Sequence, residues 1–138
     1  MRKVAWREEP ASDGPDAREA AEFARSLRFD MSETWEDHVV EALSMLQFGF
    51  APMEIVYKRR LGQKGLPYRQ DDASSAYDDG KIGVRRLPLR GQESVSKWFF
   101  DQNGQITGMT QQPWSGALID IPIEKLLLYR PTQHKNNP

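Results

Sequence analysis

The apolar pattern of the chain changes its period near Gly49, and this change constrains the fold more than any other feature. Before Gly49, apolar side chains recur every three or four residues, which predicts a helix with one apolar face. These residues are Trp35, Val39, Ala42, Leu43 and Leu46. From Met53 to Tyr57 the pattern has the two-residue period of a strand. Gly49 and Pro52 are typical of a helix end, so the sequence predicts a helix followed directly by a strand.

An earlier stretch predicts a first helix, which runs from Pro15 to about Leu27. Pro15 suits a first helical position, and small apolar residues follow it at helical spacing. Asp30 or Ser32 is then expected to cap the second helix, because both side chains accept hydrogen bonds from free backbone amides. A short strand is predicted at 4–6. Both predicted helices therefore lie in the N-terminal part of the chain.

The remaining sequence predicts strands joined by turns. Their expected bounds are 82–86 with 87–90, 95–101, 105–111, 118–123 and 126–129. Asn103-Gly104 favours a tight hairpin between the strands at 95–101 and 105–111. The predicted fold class is α+β, with two N-terminal amphipathic helices packed on an antiparallel β-sheet of hairpins. The 138 residues fit one domain, with a flexible loop at about 62–81 and a polar tail at 132–138.

Composition excludes several classes of protein. The chain has no cysteine, so it has neither disulfides nor thiolate metal sites. No apolar run reaches the roughly 20 residues that a membrane-spanning helix needs, and the first residues lack a signal-peptide core. Charge is uneven, at −6 for residues 1–57 and +5 for residues 58–138. This split is either ordinary surface variation or a sign of head-to-tail packing between copies.

The motifs that carry chemistry are missing. His38 has one possible co-ligand, Glu41, and two ligands do not make a metal site. The stretch 62–65 is glycine-rich but lacks the Ser or Thr and the following helix of a phosphate-binding loop. The aspartates of the 62–81 loop do not have calcium-loop spacing, and no serine lies in a nucleophile elbow. We therefore expect no enzyme activity, no cofactor and no bound metal.

Two groups of basic residues are the candidate contact sites. They are Lys58, Arg59 and Arg60, and Arg85, Arg86 and Arg90. Such groups can contact a neighbouring subunit or neutralise phosphates, although the pI of about 6.1 is below that of typical nucleic-acid-binding domains. Salt bridges to the acidic N-terminal half are the other expectation for these side chains.

The aromatic residues divide into two groups. Trp35 and Phe48 extend the apolar helical face and are expected in the core. Trp98-Phe99-Phe100 lies within a predicted strand, so its side chains should alternate between the two faces of a sheet. Both faces then need a cover, and another subunit could supply one of them.

Four stretches resemble the portal proteins of tailed phages, especially the Mu-like branch. The stretch 43–57 is similar to a helix-to-strand passage of that family, with an aromatic-glycine-aromatic turn at Phe48-Gly49-Phe50 and a strand beginning near Glu54. The stretch 98–106 resembles the family's aromatic strand and hairpin, and 121–130 its segment before a crossover. The tail at 134–138 resembles the approach to a glycine-rich turn. The resemblance covers roughly residues 30 to 138.

The resemblance implies a structural protein that forms a ring-shaped homo-oligomer at one vertex of a capsid. DNA passes through such rings, driven by a separate terminase ATPase. It also implies capsid proteins and terminase as partners, and a location in the virion and, during assembly, in the bacterial host cytoplasm. The chain ends at Pro138, ahead of the family's channel and terminase-docking parts, so we expect it to correspond to part of the outer wing.

Two other interpretations stay open at this point. A small stand-alone module could bind protein or nucleic acid through its basic strand ends and acidic loop. A hydrolase that uses Asp or Glu is the third interpretation, and it requires a deep pocket with paired carboxylates of raised pKa.

Overall fold

The computed structural model describes residues 5–63 and 74–131, and it has an α+β fold. Its helices are α1 Pro15–Phe29, α2 Trp35–Ala42 and α3 Met45–Phe48. Its strands are β1 Ala51–Glu54, β2 Val56–Arg59, β3 Ile82–Arg86, β4 Val95–Phe100, β5 Ile106–Gln111, β6 Ile119–Pro122 and β7 Leu126–Tyr129. Short 3₁₀ turns at Gln92–Ser94 and Ile123–Lys125 precede β4 and β7.

The chain divides into two compact units, each assembled from two separate segments. The α1 unit comprises Met1–Thr34 and Tyr57–Arg85 and contains α1 with most of β2 and β3. The meander unit comprises Trp35–Val56 and Arg86–Pro138 and contains α2, α3, β1 and β4 to β7. The loop predicted at 62–81 falls in the α1 unit, and residues 64–73 of it lie outside the described residues, as does the predicted tail.

Helix α1 begins at the predicted residue and ends two residues beyond the predicted one. Pro15 occupies its first turn, where a missing N–H costs no hydrogen bond. Asp30 follows the last turn, and its N–H bonds to the carbonyls of Ser26 and Leu27 at 3.1 and 3.3 Å. Asp30 therefore ends α1 and does not begin α2, contrary to the prediction. None of the helix residues is buried.

The second predicted helix is interrupted. Helix α2 ends at Ala42, and α3 begins at Met45 after a turn. Gly49 ends α3 with φ +84°, as the sequence predicts, and its N–H bonds to Met45 O at 2.8 Å. Since the turn breaks the helical period, the predicted apolar face is not continuous. Leu46 is 69 % exposed and Phe48 48 % exposed, so the expectation of a core position for Phe48 is wrong.

The strands form three small sheets, where the sequence predicted one. Strand β1 pairs antiparallel with β7, which follows it by more than seventy residues, from Ala51 opposite Tyr129 to Glu54 opposite Leu126. Strands β4, β5 and β6 form an antiparallel meander, and β2 pairs with β3. The predicted strand at 87–90 reduces to a single bridge between Leu89 and Met53. Ala5 and Trp6, from the predicted strand at 4–6, are not in a strand.

The predicted hairpin forms between β4 and β5. Asp101 Oδ1 accepts hydrogen bonds from the N–H groups of Asn103 and Gln105, both at 2.8 Å. Gly104 has φ +76°, the left-handed conformation that the Asn-Gly pair favours. The hydrogen bond from Gln105, followed by the others of the turn, lowers the pKa of Asp101.

The meander unit has an apolar core. Met109, Ile121 and Leu126 are buried together, and Val95, Trp98 and Ile123 pack against them. Ala51 and Met53 of β1 are also fully buried. Strands β5 and β6 approach closely at Gly108, where a Cβ atom would lie 2.7 Å from Ile121 O. This approach requires glycine, since any side chain would collide with the neighbouring backbone.

Candidate functional site

Strand β2 turns the first basic group so that alternate residues face inward. Tyr57 and Arg59 are exposed, whereas Lys58 and Arg60 are 7 % and 2 % exposed. In the preceding strand β1, Ala51, Pro52 and Met53 are all buried. Ile55 belongs to neither strand, and its N–H bonds to Lys125 O at 2.7 Å.

Lys58 is held by the residues that follow α1. Its ammonium lies 3.1 Å from Asp30 Oδ2, and both side chains are 3 % exposed. The same ammonium donates to the carbonyl of Asp30 and, at 2.7 Å, to that of Ser74. Three acceptors match its three N–H donors, which is the condition for burying an ammonium at acceptable cost.

Asp30 accepts hydrogen bonds on both of its carboxylate oxygens. Ser75 Oγ donates to Oδ2 at 2.7 Å, and the N–H of Ala76 donates to Oδ1 at 2.8 Å. Burial is the largest single influence and by itself raises the pKa of Asp30. The hydrogen bonds from Ser75, Ala76 and Lys58 together outweigh burial, so the pKa lies below its usual value. Asp30 is thus ionised at neutral pH.

Arg60 occupies a second buried position in the α1 unit. Its Nη1 donates to Ser26 Oγ at 2.8 Å, and its Nη2 lies 3.0 Å from Asp79 Oδ2. The guanidinium carbon lies 3.9 Å from the ring centroid of Tyr77 and 5.3 Å from that of Phe23, a cation–π arrangement with two rings. Its Nε is buried with no acceptor among the described residues.

The second basic group has a different environment. Arg90 is partly buried and forms an ion pair with Glu54 within the meander unit. Arg85 is partly buried in the α1 unit, where its carbonyl accepts from the N–H and Oγ of Ser32 at 2.8 and 3.0 Å. Arg86 is exposed, as is Arg59 of the first group. Of the six candidates, Lys58 and Arg60 are therefore buried and paired with residues of the same chain, while Arg59 and Arg86 are exposed to solvent.

These ion pairs explain the charge split along the sequence. Lys58 with Asp30, Lys81 with Glu19 and Arg90 with Glu54 each join a basic residue of the second half to an acidic residue of the first half. Among the six candidates, the expected salt bridge to the N-terminal half is thus present for Lys58 and Arg90, whereas Arg60 pairs with Asp79 of the second half. The α1 unit contains 13 Lys/Arg and 12 Asp/Glu, and the meander unit 6 and 8, for net charges of +1 and −2. Folding thus nearly cancels the split within each unit.

His38 is a core residue of the meander unit and not the partly exposed side chain that the sequence suggested. It is 2 % exposed, and its Nε2 lies 3.0 Å from the hydroxyl of Tyr129. Its ring centroid lies 4.9 Å from that of Trp35, and burial raises the pKa of Tyr129. Its neighbour Glu41 accepts the N–H of Leu89 at 3.3 Å. Within residues 5–63 and 74–131, no group of three or more metal-ligand side chains occurs.

Large apolar side chains are exposed on both units. In the meander unit, Trp114 is 105 % exposed, and Leu118 and Ile119 beside it are 61 % and 48 % exposed. In the α1 unit, Phe29 is 64 % exposed and lines an open groove of about 410 Å³ beside α1. Of the aromatic run on β4, Phe100 is 46 % exposed, whereas Trp98 packs edge-to-face on Phe50 at 5.5 Å between ring centroids. These side chains are the apolar surface that a partner could cover.

The described part of the chain is thus an α+β fold with internally paired charges and several exposed apolar side chains. The family model described as "Portal protein of Mu bacteriophage" matches residues 1–138, and the chain belongs to that family. The match includes residues 1–29, which the sequence resemblance did not cover. Among curated proteins, none matches the chain. No helix in the described part of the chain is long and apolar enough to span a bilayer.

Proposed function

We propose that this chain is a structural component of a phage portal ring, the vertex through which DNA is packaged and ejected. The observation that carries the proposal is the family match over all 138 residues. The exposed apolar side chains support it, because a subunit that packs against its neighbours leaves part of its apolar surface for them. In this role the chain forms a homo-oligomer and catalyses no reaction.

The wing region of the ring is the part to which we assign this chain. The meander unit offers short strands and an apolar loop, which suit packing against neighbours better than lining a DNA channel. The partners in this proposal are further copies of the protein, capsid proteins and the terminase, in the virion and in the host cytoplasm during assembly. DNA contact by this segment is weak, since two of its basic side chains are buried and both units are nearly neutral.

Sedimentation velocity of the purified chain over a concentration series tests the proposal. We expect weak self-association, with the weight-average sedimentation coefficient rising with concentration. A stable monomer at every concentration would contradict it.

A parallel titration with duplex DNA at physiological salt separates the stand-alone nucleic-acid module from the portal component. A nucleic-acid-binding module should bind its DNA with a dissociation constant of roughly 10⁻⁸ to 10⁻¹¹ M, the range of sequence-specific binding. A portal component should have a dissociation constant of about 10⁻⁶ M or higher.

A further inference from the structure

Asn103 is the one asparagine of the chain that is followed by glycine. It lies at the tip of the β4–β5 hairpin, where Asp101, Gln102 and Asn103 are all exposed. The Asn103 side chain ends in a carboxamide, whose carbon can be attacked by a nucleophile. The nearest nucleophile along the chain is the backbone nitrogen of Gly104, and its attack closes a five-membered ring. This exposed turn therefore contains both reacting groups of a deamidation.

Glycine after the asparagine removes the usual steric obstacle to this attack. Because glycine has no side chain, its nitrogen is shielded less than that of any other residue. The other two asparagines lack this advantage. Asn136 is followed by Asn137, and Asn137 by Pro138, whose nitrogen carries no hydrogen. These two positions are therefore the internal reference for a measurement at Asn103.

The hydrogen bonds of the turn at 101–105 restrain the attacking nitrogen. The Gly104 N–H donates to the carbonyl of Asp101 at 3.1 Å. The Asp101 carboxylate accepts from the N–H groups of Asn103 and Gln105, both at 2.8 Å. While these bonds are made, the proton of the Gly104 nitrogen is engaged by a carbonyl and the nitrogen is not free to attack. The reaction therefore requires the turn to open, and Asp101 opposes that opening.

The charge of Asp101 acts in the same direction. Hydrogen bonds, first the one from Gln105, lower the pKa of Asp101, so its side chain is a carboxylate at neutral pH. The Gly104 nitrogen must lose its proton before it attacks, and a neighbouring negative charge disfavours that loss. Removing the Asp101 carboxylate should therefore make the reaction faster.

We infer that Asn103 is a site of spontaneous deamidation, at a rate set by the opening of the turn that Asp101 holds. A base removes the proton of the Gly104 nitrogen, which then bonds to the side-chain carbon of Asn103. The amide nitrogen leaves as ammonia and takes up the proton that the base received. Water then opens the cyclic imide at one of its two carbonyl groups. The products are an ordinary aspartyl residue and an isoaspartyl residue, in which the chain runs through the former side chain. The inference goes beyond the proposed ring function and does not depend on it.

The isoaspartyl product should loosen the hairpin. Its backbone contains one additional carbon atom between positions 103 and 104, and hairpin geometry depends on the length of the turn. The bond from the Asp101 N–H to Gln105 O, 2.9 Å long, closes the turn in the unmodified chain. Amide hydrogen exchange at Asp101 and Gly104 should therefore be faster in this product.

Peptide mapping by mass spectrometry tests the inference on the full, folded chain during incubation in mildly alkaline buffer. The Asn103 peptide should gain the mass of an amide-to-acid conversion and separate into two products, while the two tail asparagines stay amides. Asp101→Ala should convert about threefold to tenfold faster, the effect of losing one or two exposed hydrogen bonds. The matched control is Gln102→Ala, which changes another exposed residue of the turn and should leave the rate unchanged.

Two further variants separate the parts of the inference. Asn103→Gln should remove the modification, because the longer side chain would have to close a six-membered ring. Asp101→Asn keeps an acceptor oxygen and should convert more slowly than Asp101→Ala. Circular dichroism verifies that the variants are folded. If Asn103 converts no faster than the tail asparagines, or if both Asp101 variants convert at the unmodified rate, the inference is wrong.

Discussion

The two units of this chain are similar in size, but different interactions stabilise them. The α1 unit buries the charged side chains of Asp30, Lys58 and Arg60, and its helix buries no residue at all. The meander unit buries Met53 and Met109 among other apolar side chains and forms the β4–β5 hairpin that its sequence predicts. Ion pairs need a complete set of partners, whereas apolar cores tolerate rearrangement. We therefore expect the α1 unit to lose more of its free energy of unfolding when a single side-chain group is removed.

Removing the Lys58 ammonium should have the largest effect. In Lys58→Met, Asp30 stays buried without its cation, and we expect a loss of about 3–5 kcal/mol in the free energy of unfolding. The matched control is Arg59→Met, because the neighbouring residue is exposed and should change stability by less than about 0.5 kcal/mol. Urea denaturation measures both variants. Equal effects at the two positions would show that β2 does not turn Lys58 inward.

Opening a cavity in the meander core should have the next largest effect. Met109 is fully buried beside Ile121 and Leu126, so Met109→Ala should cost about 2–5 kcal/mol. Ile119→Ala, on the exposed part of β6, should cost far less. Thermal unfolding of the two variants compares them, and a shift for Ile119→Ala as large as that for Met109→Ala would place the core elsewhere.

Gly108→Ala tests the close approach of β5 and β6. Its Cβ would lie 2.7 Å from Ile121 O, so the strands must separate, at a cost of about 1–3 kcal/mol. Gly91→Ala is the control, because its Cβ meets nothing nearer than 3.5 Å and its φ is negative. Amide chemical shifts of β5 and β6 should move in the first variant and stay unchanged in the second. An unperturbed Gly108→Ala would contradict the described strand register.

Acid should weaken the α1 unit. The pKa of Asp30 lies below its usual value of 3.8, and the hydrogen bonds from Arg28 lower the pKa of Glu8 below its usual 4.5. The folded form holds these carboxylates ionised, so their contribution to the free energy of unfolding is complete at a pH above their usual pKa values. It is lost as the pH falls from those usual values to the lower pKa values of the folded form. Urea midpoints measured from about pH 6 to about pH 3 should decline. A midpoint that rises on acidification would contradict the described ionisation.

The outward arginines should affect DNA binding slightly and stability hardly at all. Arg59→Ser and Arg86→Ser remove exposed charges, so each should lower the salt dependence of weak duplex binding by about one unit of slope or less. Glu124→Gln is the control, because it removes an exposed negative charge and should not lower the salt dependence of duplex binding. Loss of tight, sequence-dependent binding on either arginine change would favour the nucleic-acid module.

Much of the secondary structure could be predicted because its signals are local. The bounds of β3 and β7 match the predicted ones, and those of β4 and β5 differ by one residue. The pairing of β1 with β7 could not be predicted, since nothing in either strand specifies a partner so far along the chain. The interruption between α2 and α3 was missed because Leu43 and Ser44 are compatible with a continuous helix.

The buried charges were missed for a related reason. Lys58 and Arg60 appear in the sequence as part of a basic run, and a basic run is usually exposed. Their partners Asp30 and Asp79 lie 28 and 19 positions away, so only the folded chain shows the pairing. One local signal existed. Tyr57, Lys58, Arg59 and Arg60 continue a strand, and alternation along any strand turns two of these four side chains inward.

The most direct measurement is the titration of the Asp30 carboxylate, followed by carbon NMR in the unmodified chain and in Lys58→Met. The account predicts a pKa below the usual 3.8 in the unmodified chain and a higher pKa in the variant, because burial then acts without the ammonium. An Asp30 that titrates at its usual value in both proteins would contradict the buried ion pair on which the α1 unit depends.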